Sequence, residues 1–277
     1  MTRHDGTLVR GLDGNRAIMP FIMTGRNESA VWFEQIVDLE ETLPWLAERP
    51  GTNLFQLLLY GMGQTLYAHP RVNRYVSGRR LYQREQAILS FAMKASLDTE
   101  SHMSVLKMSV EEGESLEGWS IRLRERLARG RKGERTDSDK EASLFSRLPR
   151  PLLVLGVWLL RWLDALNLAP SFLLKGDPMH ASAFVANLGS VGLDAAWHHL
   201  YEYGTCPIFV TLGRVQKLPV VVGDRVEARI AVRLRYTYDE RIEDGLYAAR
   251  ALESLKERLE HPARFFDGQA LADRDAA

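Results

Sequence analysis

The sequence predicts one mixed α/β domain, and three observations carry this prediction. Helical patterns at Thr52–Pro70 and Ser115–Arg129 alternate with short apolar runs that are typical of strands. The C-terminal third is rich in such runs and closes with a helical pattern at Gly245–Pro262. The chain has 277 residues, 45% of them hydrophobic, which is enough to bury one large core. Strands interleaved with helices indicate a mixed α/β fold.

The first half of the chain gives further local predictions. Ile18–Leu39 mixes β-branched and aromatic residues around the turn-like TGRNES, which predicts a strand, a turn and a second strand. Thr52 and Asn53 are candidate N-caps for a helix that Pro70 ends. We expect a flexible N-terminus over residues 1–15, a single domain over 16–265 and a flexible C-terminus over 266–277.

Charge and cysteine content exclude several classes of function. Lys plus Arg and Asp plus Glu both number 36, so no net charge draws the chain toward nucleic acid. Cys206 is the one cysteine, which excludes an intrachain disulfide and fits a reducing compartment. No spacing of His, Asp and Glu supports a metal site. The polar N-terminus resembles no secretory signal, so we expect a cytoplasmic protein.

Two segments in the middle of the chain differ from the rest in composition. Residues 129–143 are charged without periodicity, which predicts a mobile loop with a solvated surface. Residues 151–168 form the most apolar helical pattern, with Pro151 in its first turn. Its unbroken apolar run is shorter than the ~20 residues of a bilayer span. The helix could be buried in the core or in a subunit interface, or lie on a membrane surface with Trp158 and Trp162 at the headgroups.

The C-terminal third resembles a known family. The stretch LRYTYDERIEDGLYAARALESLKERLEHP is similar to the end of the catalytic core of dihydrolipoyl acyltransferases of 2-oxo acid dehydrogenase complexes, where DHRxxDG precedes a helix. ASAFVANLGSVGLDA resembles the FTISNLG strand of that family, and HPRVNRYVSGRRLYQRE its HPxxN segment and hairpin. The resemblance covers about residues 16–265. It implies the fold of chloramphenicol acetyltransferase, a two-layer mixed sheet with helices, and a homotrimer.

The resemblance also implies a mechanism. In the family, the motif histidine takes the proton from the thiol of coenzyme A or dihydrolipoamide. A Ser or Thr hydroxyl from the FTISNLG strand of the neighbouring subunit stabilises the tetrahedral oxyanion, and the motif Asp or Asn supports the loop. The site lies in a channel between subunits. Such chemistry needs a base near neutral pKa and a donor where negative charge develops.

Two catalytic positions depart from the family pattern. Glu240 stands at the histidine position, and Ala186 stands at the hydroxyl position. The remaining motif positions are kept by Asp239, Arg241, Asp244 and Gly245. Glutamate ordinarily titrates near ~4.3 and histidine near ~6.5, so glutamate is a weaker base toward a thiol near ~8.5. Losing one oxyanion donor costs ~10²–10³ in rate. Ser182, on the same strand face, and Asn187 are possible substitutes for the donor.

Two functions are therefore open. One is a non-catalytic scaffold or binding partner with a degenerate site. The other is an acyltransferase that uses coenzyme A, with Glu240 as base and Asp244 as loop support. No lipoyl domain precedes the core, so we expect no covalently bound lipoyl cofactor. Arg26 in TGRNESA is similar to the arginine that pairs with the motif aspartate in chloramphenicol acetyltransferase. We therefore predict a structural ion pair between Arg26 and Asp244.

Overall fold

The computed structural model describes residues 2–94, 103–131 and 148–267. The helices are α1 (Gly14–Ile22), α2 (Thr42–Ala47), α3 (Leu54–Ala68), α4 (Leu116–Arg131), α5 (Arg150–Ala165), α6 (Ser171–Lys175), α7 (Gly245–Glu260) and α8 (Pro262–Phe266). The strands are β1 (Thr2–Arg3), β2 (Gly6–Leu8), β3 (Ala30–Asp38), β4 (Arg74–Ser77), β5 (Arg80–Gln83), β6 (Ala87–Lys94), β7 (Met103–Val110), β8 (Ala183–Asn187), β9 (Ile208–Leu212), β10 (Gln216–Val222) and β11 (Arg225–Asp239).

The larger sheet is mixed and is organised around the long strand β11. Strand β3 pairs antiparallel with one edge of β11, and Asp239 lies opposite Ala30. The other edge pairs first with β10, through a hairpin, and then with β9. Strands β9, β8 and β6 run parallel, and β7 pairs antiparallel with β6 at the end. The predicted mixed α/β architecture is confirmed.

Helices α3 and α7 cover one face of this sheet and enclose the core with it. Helix α3 begins with a capping box, in which Asn53 Oδ1 accepts from the Gln56 amide at 3.0 Å and Gln56 Oε1 accepts from the Asn53 amide at 2.8 Å. Leu255 and Leu259 of α7 are fully buried against the core. The helices predicted over Thr52–Pro70 and Gly245–Pro262 are therefore confirmed.

The N-terminal residues are ordered, which differs from the flexible terminus that we expected over 1–15. Strands β1 and β2 extend a second, smaller sheet in the order β1-β2-β5-β4. Arg3 is buried, and its guanidinium binds the Asp5 and Asp164 carboxylates at 3.1 and 2.5 Å. Residues far away in the sequence hold this segment in place, and the local composition of the segment does not reveal them.

The strand predicted at the start of Ile18–Leu39 is wrong, because α1 occupies residues 14–22. Asp13 caps this helix, and its carboxylate accepts from the Arg16 amide at 2.9 Å. The β-branched and aromatic residues of α1 suggested a strand, but the cap starts a helix. The second strand of that prediction is β3.

Helix α5 lies on the surface, so the core of the chain does not bury it. Asp164 is its one buried residue, while most of its apolar side chains are exposed. In the described ranges no helix is both long enough and apolar enough to cross a membrane. Of the predicted loop over 129–143, residues 129–131 belong to α4 and the rest lie outside the described residues.

Candidate functional site

The motif loop joins the end of β11 to the start of α7, and a buried ion pair holds it. Asp239, the last residue of β11, is fully buried. Arg241 donates from Nε and Nη2 to the two Asp239 carboxylate oxygens at 2.8 and 2.7 Å. Ser29 Oγ donates to the same carboxylate at 3.0 Å. Arg241 Nη1 also donates to the Met23 and Thr24 carbonyls at 3.1 and 3.3 Å, which ties the loop to the chain before β3.

Asp244 ends the loop as the N-cap of α7, and Gly245 is the first helical residue. The Oδ1 of Asp244 accepts a hydrogen bond from the Tyr247 amide at 2.9 Å. This hydrogen bond lowers the pKa of Asp244 below its usual range, because it stabilises the charged carboxylate. The side chain is exposed, and its contacts support the turn into the helix.

Glu240 has a fixed backbone and an unpaired carboxylate. Its amide donates to the Ser29 carbonyl at 3.0 Å, and Arg16 Nη1 donates to its carbonyl at 2.9 Å. Within the described residues its carboxylate makes no hydrogen bond or ion pair, because Arg241 is turned toward Asp239. The partly exposed carboxylate is therefore available to a group outside this part of the chain.

Glu243 is the buried residue of the loop that the sequence did not single out. Its carboxylate accepts from Arg74 Nη1 at 2.7 Å and lies 3.5 Å from Arg16 Nη2. It also accepts from the Asp244 amide at 3.1 Å. The two arginines come from distant segments, so no local pattern marks this residue.

The predicted ion pair between Arg26 and Asp244 does not form. Arg26 is buried, and its Nη1 donates to the carbonyls of Tyr201 and Glu202, both at 3.1 Å. Its Nη2 donates to the carbonyls of Val76, at 3.3 Å, and Gly204. Burial lowers the pKa of Arg26, and the nearby Asp239 opposes this shift. Arg26 thus connects backbone segments, while Asp244 is used as a helix cap.

Ala186 lies in β8 and packs beside an aromatic cluster that contains Phe184 and Phe209. The first possible substitute, Ser182, is buried, and its hydroxyl already makes hydrogen bonds within the chain. Its Oγ accepts from the Ile88 amide at 3.0 Å and donates to the Gln86 carbonyl at 3.3 Å. Ser182 therefore holds the start of β8 against β6 and has no donor left for a substrate.

The second possible substitute, Asn187, keeps a free donor. Its Oδ1 accepts from the Ser190 amide at 3.1 Å and caps the turn after β8. Its Nδ2 makes no hydrogen bond inside the described ranges. Of the two candidates, Asn187 is therefore the one whose side chain could still donate.

A single chain does not bring Glu240 and Ala186 together. Ala186 pairs with Thr211 of β9, and Thr211 pairs with Arg235 of β11. Arg235 lies five residues before Glu240, which corresponds to ~16 Å along the strand and ~10 Å across two strand spacings. A site that used both positions would need a second chain.

Two histidines of the described residues, His198 and His180, have rings that contact neighbouring side chains. His198 stacks on Phe209 with ring centroids 3.7 Å apart, and burial lowers its pKa. His180 is buried between Asp177, at 3.3 Å, and Asp164, at 3.8 Å. These carboxylates raise the pKa of His180 against the opposing effect of burial. Within the described residues, no cluster of His, Cys, Asp and Glu could hold a metal ion.

A cavity of about 290 Å³ lies beside the loop. Arg26, Arg241, Asp164 and His180 are among its lining residues, but Glu240 is not. A second cavity of about 430 Å³ lies on the other side of His180, against Arg3 and Lys107. Inside one chain, the base position therefore does not face either cavity.

The fold is that of acyltransferase catalytic cores. The dihydrolipoamide acetyltransferase of Azotobacter vinelandii, whose study concerns a serine, a histidine and an asparagine in its catalytic mechanism, has a TM-score of 0.60 at 16% identity. The cubic core of a pyruvate dehydrogenase multienzyme complex gives the same values, and both alignments cover 93% of this chain and 98% of theirs. Chloramphenicol acetyltransferase has a TM-score of 0.53 at 10% identity, over 92% of this chain and 99% of its own.

The family model matches the C-terminal part of the chain. Residues 173–266 match the family model of 2-oxoacid dehydrogenases acyltransferase (catalytic domain). The lipoamide acyltransferase component of the branched-chain alpha-keto acid dehydrogenase complex of Pseudomonas aeruginosa is 35% identical over 57 residues. That match spans 21% of this chain and 13% of the relative. The resemblance to this family is confirmed by the fold and by these residues.

Proposed function

We propose that the chain is a non-catalytic member of the acyltransferase superfamily that acts as a scaffold or binding partner. The observation that carries this proposal is the joint replacement of the two catalytic groups, by Glu240 and Ala186. The loop around Glu240 is otherwise held by buried contacts, such as the pair between Asp239 and Arg241. The frame is kept while the groups that move a proton and stabilise an oxyanion are changed.

The similar Azotobacter vinelandii enzyme supports the assignment of these positions. Its catalytic mechanism concerns a histidine and an asparagine four residues later. In this chain Asp244 follows Glu240 by the same interval. Glutamate is a weaker base than histidine by about two pKa units, and a missing oxyanion donor costs ~10²–10³ in rate. Both losses together favour a protein without acyl transfer.

The alternative is a transferase that takes the acyl group of an acyl-coenzyme A and uses Glu240 as general base. The unpaired carboxylate of Glu240 and the free Nδ2 of Asn187 favour it. The acceptor would be a thiol or another nucleophile, and Asp244 would support the loop.

We also propose a homotrimer in a reducing compartment such as the cytoplasm. The assembled core of a pyruvate dehydrogenase complex has a similar fold, which supports an oligomer. Because Glu240 and Ala186 are far apart in one chain, facing subunits would have to bring these positions together. Light scattering that gives the mass of one chain would contradict the trimer.

Release of free coenzyme A from acetyl- and longer acyl-coenzyme A, with dithiol acceptors, separates the two functions. The scaffold predicts release at the rate in buffer for the wild type and for Glu240→Gln. The transferase predicts turnover that falls at least ~100-fold in Glu240→Gln and is unchanged in Glu125→Gln, an exposed control. The second pattern would end the scaffold proposal.

A second candidate function is association with a membrane surface through residues 151–168. The exposed apolar side chains of α5, including Trp158 and Trp162, favour it. The test is sedimentation with liposomes, in which a protein that stays in the supernatant with every lipid would exclude this function.

A further inference from the structure

Helix α5 turns its apolar side chains away from the body of the protein. Trp158 is 59% exposed and Trp162 is 51% exposed. The other large apolar side chains exposed on this helix are Leu152, Val154, Leu155, Val157 and Leu159. A helix that packs on its own core would bury such residues and expose its charges.

The contact of α5 with the body is polar instead. The buried carboxylate of Asp164 binds Arg3 Nη2 at 2.5 Å and accepts from Ser77 Oγ at 3.2 Å. His180 lies 3.8 Å from the same carboxylate. The helix is therefore held to the body through Asp164, and most of its apolar side chains are exposed.

Two neighbouring helices extend the exposed apolar surface. Helix α1 and helix α5 line the same cavity of about 290 Å³, through Pro20 and Leu160, so they lie on the same side of the protein. Helix α6 follows α5 directly in the chain. The exposed apolar residues that these two parts add are Ile18, Phe21 and Ile22 from α1, and Leu168 and Phe172 near α6. We call the exposed apolar residues of α1, α5 and α6 the α5 face.

The exposed charges on helices α5 and α6 are positive. Arg150, Arg161 and Lys175 are exposed on α5 and α6, whereas the one acid of these helices, Asp164, is buried and paired. Arg79 joins them, with its guanidinium 5.6 Å from the ring centre of Phe21. In a two-fold contact through this face, both copies would bring positive charges to the interface, which is unfavourable. Apolar side chains among cations instead fit the surface of an anionic bilayer.

We propose that the α5 face docks the protein on anionic membranes, with α5 lying in the plane of the interface. This proposal rests on the membrane association given as the second candidate function, and it names the lipid class and the surface. At 1.5 Å per residue the 16 residues of α5 extend ~24 Å along the bilayer. The tryptophans enter the headgroup region, and the arginines meet lipid phosphates.

The experiment is flotation of the full chain with vesicles of phosphatidylglycerol mixed with phosphatidylcholine, compared with phosphatidylcholine alone. We expect binding to the anionic vesicles only. Trp158→Ser should weaken it about tenfold or more through lost apolar burial, and Arg161→Glu about fivefold or more through lost attraction. The controls, Val226→Ser and Arg225→Glu, change exposed residues elsewhere and should bind as the wild type does.

The possible outcomes distinguish docking through the α5 face from membrane association in general. Absence of binding to every vesicle would end membrane association altogether. Equal binding to both lipids, or binding that Trp158→Ser leaves intact, would overturn the α5 face while membrane association stands. A change of oligomer mass in Trp158→Ser, without vesicle binding by the wild type, would show that a second copy covers this face. The acyl-transfer assay contains no lipid, so its result is independent.

Discussion

The residues of the motif loop divide into a buried frame and the partly exposed side chain of Glu240. Asp239, Arg241 and Glu243 are buried and bonded to distant segments, so they hold the loop whatever occupies the base position. Glu240 contributes only its backbone to this frame. Its side chain can therefore change without cost to the fold, so the loop does not require a particular residue at position 240.

The frame should depend strongly on the buried carboxylate of Asp239. Asp239→Asn leaves Arg241 and the nearby Arg26 buried with a missing charge partner, which costs about 3 kcal/mol of the free energy of unfolding. Urea unfolding measures this loss, with Glu125→Gln as an exposed control that should stay within about 0.5 kcal/mol of the wild type. A loss below about 1 kcal/mol would mean that the pair does not hold the loop.

At the scale of elements, helices with local signals were predictable and long-range contacts were not. Helix α3 carries its capping residues and its final proline in the sequence, and α7 follows a recognisable motif. The apolar residues of α1 are also typical of strands, so the sequence predicts a strand where the structure has a helix. Strand β2 pairs with β5, strand β1 pairs with β2, and Arg3 of β1 is buried. The local sequence predicts neither the pairing with β5 nor the burial of Arg3.

In the candidate site, too, the local motif was predictable from the sequence and the long-range contacts were not. The motif positions, from Asp239 to Gly245, could be located because they are consecutive and precede a helix. The partners of Arg26 are backbone carbonyls brought close by the fold, so analogy gave the wrong partner. Whether Ser182 was free to donate depended on its contacts with β6, which a single strand cannot show.

On the scale of the whole molecule, His180 connects the two sheets with α5. It faces Asp164 of α5 and Asp177 after α6, and its ring meets the edge of Tyr203. Arg3 of the small sheet binds the same Asp164 carboxylate. Neither ring nitrogen has a well-aligned hydrogen bond among the described residues, so the attraction rests on the charge of the imidazolium.

Stability should therefore fall as the pH rises above neutrality. The pKa of His180 is raised above its ordinary 6.5, so its contribution is complete below 6.5 and is lost as the pH passes the folded value. Histidines whose pKa is lowered by burial, such as His69, act with opposite sign and only below 6.5. Thermal unfolding between pH 6.5 and 7.5 should give a falling midpoint, and His180→Gln should flatten the curve. Above this range Lys107, whose pKa burial lowers to about 8, acts with the opposite sign. If the unfolding midpoint of His180→Gln fell with pH as much as that of the wild type, another group would cause the effect.

The central claim is that the molecule keeps an acyltransferase frame while two replaced side chains remove its chemistry. The most direct test is acyl transfer from acetyl-coenzyme A to a dithiol by the wild type and by Glu240→His combined with Ala186→Ser. The account predicts transfer at the rate in buffer for the wild type and a measurable rate for the double variant, because a base near pKa ~6.5 and an oxyanion donor return. Transfer by the wild type that the double substitution leaves unchanged or lowers would contradict it.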